Sequence, residues 1–175
     1  MSQLKVDSII PRGGLPSGSS GGIVQVRSVI KTDPFTTTSS SFTDITGLSV
    51  SITPQSSSNK ILIQVCVSGD GRQSQSRANF RLMRGSTAIC IGDTAGGRAR
   101  STFAIYRPND DHTTETASMT HLDSPATTSA VTYKMQIVSG NGGGNQVSVN
   151  RAYNWSDAFA HAATVSSITV MEVSG

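Results

Sequence analysis

The stretch over residues 44–69, DITGLSVSITPQSSSNKILIQVCVSG, constrains this chain more than any other. In its first arm Leu48, Val50 and Ile52 point one way, and Ser49, Ser51 and Thr53 the other. A polar turn, TPQSSSNK, leads to a second arm in which Ile61, Ile63, Val65 and Val67 share a face. Side chains alternate across a strand with a period of two, so each arm buries one face and wets the other. β-Branched residues at that period around a Pro/Ser/Asn turn predict two antiparallel strands paired as a hairpin. Leu62 and Cys66 lie on the other face of the second arm, which predicts a central strand covered on both sides for part of its length.

The same pattern recurs along the chain. GGIVQVRSVIK sets Ile23, Gln25 and Arg27 against Val24, Val26 and Ser28. A polar link follows, with Phe35 and Phe42 as plugs at the core edge. Phe80 and Leu82 on one side of RGST, and Ala88 and Cys90 or Ile89 and Ile91 on the other, predict a hairpin in which Gly85 takes a positive φ. One more strand is expected within residues 102–106, inside a long irregular region, and another through Met119 and His121 or Leu122. In VTYKMQIVS, Val131, Tyr133, Met135 and Ile137 line one face; GNGGGN then turns the chain into QVSVNRAYNW. The closing SSITVMEV puts Ile168 and Val170 on one side and predicts a terminal strand paired inside a sheet.

Ser and Thr make up roughly a quarter of the 175 residues and only 14% are charged, which disfavours long amphipathic helices. Eight to ten short strands in one domain predict an all-β, antiparallel two-sheet sandwich of jelly-roll type with an extended N-terminal arm. The arm is residues 1–22. Leu4, Val6, Ile9 and Ile10 precede a Gly/Ser/Pro linker there, read either as a disordered tail or as a tethered anchor that pairs with another protein. Residues 23–175 form the head.

Fourteen basic against eleven acidic residues give a mild charge of +3, without the concentrated basic face of a nucleic-acid binder. Arg72, Arg77, Arg81, Arg84, Arg98 and Arg100 form a loose basic middle, read as solvated or subunit-interface charges. The start lacks a secretory signal and no stretch has the length of a membrane span, so neither a membrane nor a nucleic acid is an expected partner. Cys66 and Cys90 sit in apolar strand patterns and are expected as buried free thiols rather than a bridge.

Candidate chemistry is sparse. His112, His121 and His161 stand in unrelated contexts and no nucleophile elbow occurs, so no catalytic residues are assigned. Asp110, Asp111 and His112, or His121 with Asp123, lack metal-ligand spacing, and no metal or cofactor is expected. Gly142, Gly143 and Gly144 form a hairpin turn rather than a phosphate loop. Tyr153, Trp155 and Phe159 cluster before the last strand. They suit contact with a glycan or receptor, while the other reading, of more weight for the only Trp, packs Trp155 as a core or trimer-axis plug.

LKVDSI, a Gly-rich link, GGIVQV and SFTDITGLSVSITPQSSSNKILI, followed by RLMRGSTAICIGD, LDSPATTSAVTYKMQI, VNRA and SSITVMEV, resemble small structural proteins of tailed bacteriophages, especially cyanophages. The resemblance spans essentially the whole chain and carries no catalytic residues. It implies a homotrimeric fibre, spike-tip or capsid-decoration component whose residues 1–22 attach to other virion proteins, assembled in the host cytoplasm. No collagen-like or coiled-coil shaft separates arm from head, which favours a short fibre, knob or decoration over a long fibre. The competing expectation is an adhesin that recognises host cell-surface glycan through residues 93–116 or 152–161; a depolymerase is the third, with no carboxylate pair to name.

Overall fold

A computed structural model describes residues 22–71, 77–106, 112–140, 144–159 and 161–175. The chain runs through β1 (Ile23–Lys31), β2 (Phe35–Thr37), β3 (Thr43–Ile52), β4 (Lys60–Gly71), β5 (Ala78–Arg84), β6 (Thr87–Ile89), β7 (Phe103–Ile105), β8 (Glu115–Asp123), β9 (Val131–Ser139), β10 (Val147–Val149) and β11 (Ser166–Val173). All are strands. One sheet holds β1-β11-β4-β10-β2 with β8 beside β4, and the other holds β3-β9-β5-β6 with β7 beside β5. Every pairing is antiparallel. The head is therefore the expected all-β sandwich.

Period two explains which faces meet. Ile61, Ile63, Val65 and Val67 of β4, with Ile168 and Val170 of β11, face Leu48, Val50 and Ile52 of β3, Phe80 and Leu82 of β5, and Tyr133, Met135 and Ile137 of β9 in one buried cluster. The Phe80 and Phe103 rings meet inside it at 5.2 Å. Burying residues of this kind stabilises the fold by about 1.5–3 kcal/mol each.

One set of the pairings is nested. First pairs with last (β1 with β11), then β3 with β9, β4 with β8, and β5 with both β6 and β7. This nesting corrects the hairpin expected over residues 44–69: β3 pairs with β9 and β4 with β11 and β8, and the two arms lie in opposite sheets. Their buried faces look at each other across the core instead of lying side by side. The seven residues between Ile52 and Lys60 are long enough to cross the roughly 10 Å between packed sheets, which a tight two-residue turn is not. Alternation identifies a half-buried strand equally well whether its neighbour is beside it or opposite.

The second arm is central as expected, and the β5–β6 hairpin turns through Gly85 at φ 56 and Ser86, with Arg84 opposite Thr87. A positive φ at the first turn position is the type II′ arrangement, whose twist matches the flanking strands. Four short strands complete the count of eleven. One of them, β2, occupies the link read as polar; its Phe35 packs against the core. Phe42 is half-buried and lies instead beneath the Arg81 guanidinium, 4.0 Å from its ring centre.

Both cysteines are free, but not both are buried. Cys66 is half-buried on the outer face of β4. Cys90 is exposed, because β6 ends at Ile89 and Cys90 turns away at φ 49, its Sγ 3.7 Å from Met119 Sδ. Leu4, Val6, Ile9 and Ile10 lie outside the described residues, as do Arg72, Asp110, Asp111, Gly142 and Gly143.

Candidate functional site

The three aromatics read from the sequence sit in the loop between β10 and β11. That loop is fixed at its base by Asn150, which follows β10 at φ 62, in the left-handed region that Asn tolerates better than most residues. Its Nδ2 donates to the carbonyls of Lys31 (2.9 Å) and Asp33 (3.0 Å), and its Oδ1 accepts from Ser166 Oγ at 2.6 Å. One residue thus joins the loop's first position to the strand that receives its end. Tyr153 is half-buried; its amide donates to Asp70 Oδ2 at 3.0 Å, and Asp70 is fully buried in β4.

Beyond Tyr153 the chain is open to solvent. Trp155 is 38% exposed and Phe159 fully exposed, so Trp155 is not a core plug. The Arg151 guanidinium, held by the carbonyls of Ala152 and Tyr153, covers the Trp155 ring at 5.0 Å from its centre. Cation–π contact of this kind stabilises by about 0.5–1 kcal/mol at exposed sites and fixes the ring. Trp155 borders an open depression of about 450 Å³ together with Ser156, Asp157, Ala158, His161 and Ala163. Phe159 and Tyr153 are not in its wall. The structure therefore gathers Trp155 with polar neighbours and leaves the aromatic trio apart.

Ser156 and His161 meet in this loop. Both the Ser156 amide (3.0 Å) and its hydroxyl (3.1 Å) are directed at His161 Nδ1. Nucleophile activation needs the other ring nitrogen held by an orienting group, and among the described residues no carboxylate is hydrogen-bonded to it. The contact closes the loop, and the His112 ring packs on His161 at 5.3 Å. Asp123 is equally committed: Tyr133 donates to it at 2.7 Å and Arg84 at 2.9 Å, leaving no free pair with His121. Among the described residues no three His, Cys, Asp or Glu side chains group to hold a metal ion.

A second surface was invisible in the sequence. On the outer face of the six-stranded sheet, register aligns Val26, Met171, Leu62 and Leu122 in one row across four strands. Beside it run Ser28, Thr169, Gln64 and Thr120, then Ile30, Ser167, Cys66 and Ser118. None of these twelve positions is charged. Val26, Ile30 and Leu122 are 47%, 65% and 48% exposed, against the rule that a wet sheet face is polar. A shallow groove of about 310 Å³ crosses the second and third rows.

Arg151 and Trp155 are at least neighbours in sequence, in RAYNW, although a four-residue spacing predicts contact only on a helix and this segment is a loop; the rows, drawn from four distant strands, left no signal at all. No protein-family model matches the chain, and no curated protein is significantly similar to it in sequence.

Proposed function

We propose that this chain is a non-enzymatic structural component of a tailed-phage virion, a homotrimeric short fibre, knob or capsid decoration attached through residues 1–22. The observation that carries the reading is the twelve uncharged positions at the centre of the outer face, with their row of Val26, Met171, Leu62 and Leu122. Depletion of charge at the centre is what distinguishes a protein interface from ordinary surface. The twelve aligned positions carry no charge and meet no like-charge repulsion against their own copy, and the nearest cation on that face of β4, Lys60, stands one row out beside Val173. The number three, and the virion, come from the sequence resemblance. Nested strand pairing wrapped into two sheets further supports a jelly-roll winding, the form expected of the head.

The test is the mass of the purified chain in solution. Wild type sediments as three chains, and Leu122→Asp or Val26→Asp as one, with the β circular dichroism kept, because a carboxylate buried without a partner costs several kcal/mol. A wild-type monomer at micromolar concentration overturns the reading. Deleting residues 2–12 leaves a folded trimer that no longer joins the particle; normal incorporation of that form refutes the anchor.

A second reading, an adhesin for host glycan, is favoured by the exposed Trp155 beside its depression. Trp155→Ala then abolishes adsorption to cells while thermal stability stays nearly unchanged. A large loss of stability instead assigns Trp155 to packing.

A further inference from the structure

The outer face of the five-stranded sheet is the chemical opposite of the uncharged one. Register sets Asp44, Gln136 and Arg81 in one row, with Lys134 two residues along β9. Their side chains form a relay. Lys134 Nζ donates to Asp44 Oδ2 at 2.6 Å, Gln136 Nε2 to Asp44 Oδ1 at 2.6 Å, and Arg81 Nε to Gln136 Oε1 at 2.7 Å. Both Asp44 oxygens are thereby occupied, and the Lys134 and Gln136 hydrogen bonds hold its carboxyl below the usual carboxylate range.

Arg81 is left with an unusual set of partners. A neutral amide holds its Nε, Phe42 covers one face of its guanidinium, and no described residue accepts from its two Nη groups. Burial pushes its pKa down, the mark of a cation that has lost part of its water. Arg81 lines an open groove of about 470 Å³ with Ser40, Ser41, Asn79, Gly97 and Ala99. The groove's end is tight: a Cβ on Gly140 would lie 2.8 Å from Asn79 Nδ2 and 3.0 Å from the Arg77 carbonyl, so glycine there lets the Gly140 amide donate to that carbonyl at 2.8 Å without a clash.

A guanidinium with its fork unshared and its plane fixed matches an oxyanion bidentately. The surrounding Ser40 and Ser41 hydroxyls and the Asn79 amide suit sugar hydroxyls, and Phe42 and Val138, which also line the groove, offer apolar surface to the ring carbons of a sugar. We propose that this groove binds the oxyanion of an acidic saccharide, a uronate carboxylate or a sulfate ester, with Arg81 as the anchoring residue. The inference depends neither on trimer formation nor on the Trp155 loop.

The experiment titrates the full chain, labelled with ¹⁵N, with oligogalacturonate, with sulfated dextran oligomers and with neutral dextran oligomers. The Arg81 Nε–H resonance shifts with one or both acidic series and not with the neutral one, and the series that shifts it names the group. Arg81→Gln weakens binding at least tenfold. Ala99→Phe, at an exposed position that also lines the groove, weakens it while the relay stays intact. An Arg81 resonance unmoved by either acidic series at millimolar concentration overturns the proposal. So does an Arg81→Gln protein, folded by circular dichroism, that binds as wild type, and so does an oligoglutamate peptide that binds as tightly as the saccharides.

Discussion

Glu172 is fully buried near the end of β11 with no cation among its hydrogen-bond partners. Its Oε1 accepts from Asn59 Nδ2 at 2.6 Å and from the Gln55 amide at 2.7 Å, and its Oε2 from Gln25 Nε2 at 2.6 Å. Gln25 also donates to the Thr53 carbonyl at 2.8 Å. One carboxylate thus holds the segment that carries the chain from one sheet to the other. Glu172→Ala leaves the Asn59 and Gln55 donors without acceptors, at about 1–3 kcal/mol each, for a loss of about 3–5 kcal/mol. Glu172→Gln keeps Oε1 and opposes one amide to the Gln25 amide, which can turn to answer only by giving up its bond to the Thr53 carbonyl, so that change costs about 1–2 kcal/mol.

Burial alone would raise the Glu172 pKa, but the hydrogen bonds from Gln25, Asn59 and the Gln55 and Ser56 amides outweigh it and hold the carboxyl below its usual range. A folded pKa below the unfolded one means that the unfolded chain binds the proton first. The stability this group contributes is complete above the unfolded glutamate value of about 4.3 and is lost as the pH falls below it. Asp33 and Asp44 are lowered in the same direction, so wild type alone cannot isolate Glu172. Urea unfolding of wild type and Glu172→Gln at equal protomer concentration does, because the gap between them at pH 7 shrinks by pH 3. A gap that stays constant between those pH values, or a Glu172→Ala cost below about 1 kcal/mol, refutes the argument.

Gly69→Ala is expected to lose about 2–4 kcal/mol in urea unfolding, since a Cβ there lies 2.6 Å from the Ser148 carbonyl and the β4–β10 pairing must open to admit it. Tyr133→Phe removes the buried donor to Asp123 and costs about 1–2 kcal/mol by the same measurement. Burial first, and the Asp123 carboxylate next, push the Tyr133 phenol far up, so in an alkaline titration its tyrosinate absorbance appears only as the circular dichroism is lost. Asn150→Ala breaks three side-chain hydrogen bonds and places Ala in the left-handed region, at a cost of about 2–4 kcal/mol. Because Asn150 fixes the loop base, that variant also shifts Trp155 fluorescence before the sheets unfold.

The strands were legible because each carries its own burial signal. Val131, Tyr133, Met135 and Ile137 alternate without interruption, and β9 spans the stretch that the pattern marked. Ile45 and Leu48 are both buried although three apart, because β3 bulges between Asp44 and Ser49 with Gly47 at φ 83. Short strands were less legible: Phe35 and Val147–Val149 pair through three residues each, too few for a period to show. Cys90 was misplaced because alternation extended naturally past Ile89, and nothing in the sequence marks where pairing stops. The partner of each strand was the least legible property. Period two orients a side chain toward a core without saying whether the next strand lies beside it or across from it, and the segment Glu172 fastens passes from one sheet to the other.

That limit bears directly on function. In a two-sheet sandwich the alternating residues that reveal the strands are the ones buried between the sheets, so the strongest sequence signal concerns scaffold. What remains for recognition is the outer faces and loops, and an outer face is assembled by register. Val26, Leu62, Leu122 and Met171 form a row only because β1, β11, β4 and β8 stand side by side. Asp44, Arg81 and Gln136 likewise meet only because β3, β9 and β5 do. The Trp155 loop is the exception, because its parts are local in sequence. The two outer faces then divide the chemistry between them. A face with no charge among twelve aligned positions gains by excluding water against a like surface. A face on which no described residue accepts from the Arg81 Nη groups beside a groove is suited, on the proposal above, to an anion. On the two proposals above, the head assembles through one sheet and presents the other outward, so Leu122→Asp is expected to abolish the proposed oligomer and leave anion binding at the Arg81 groove intact, whereas Arg81→Gln is expected to do the reverse.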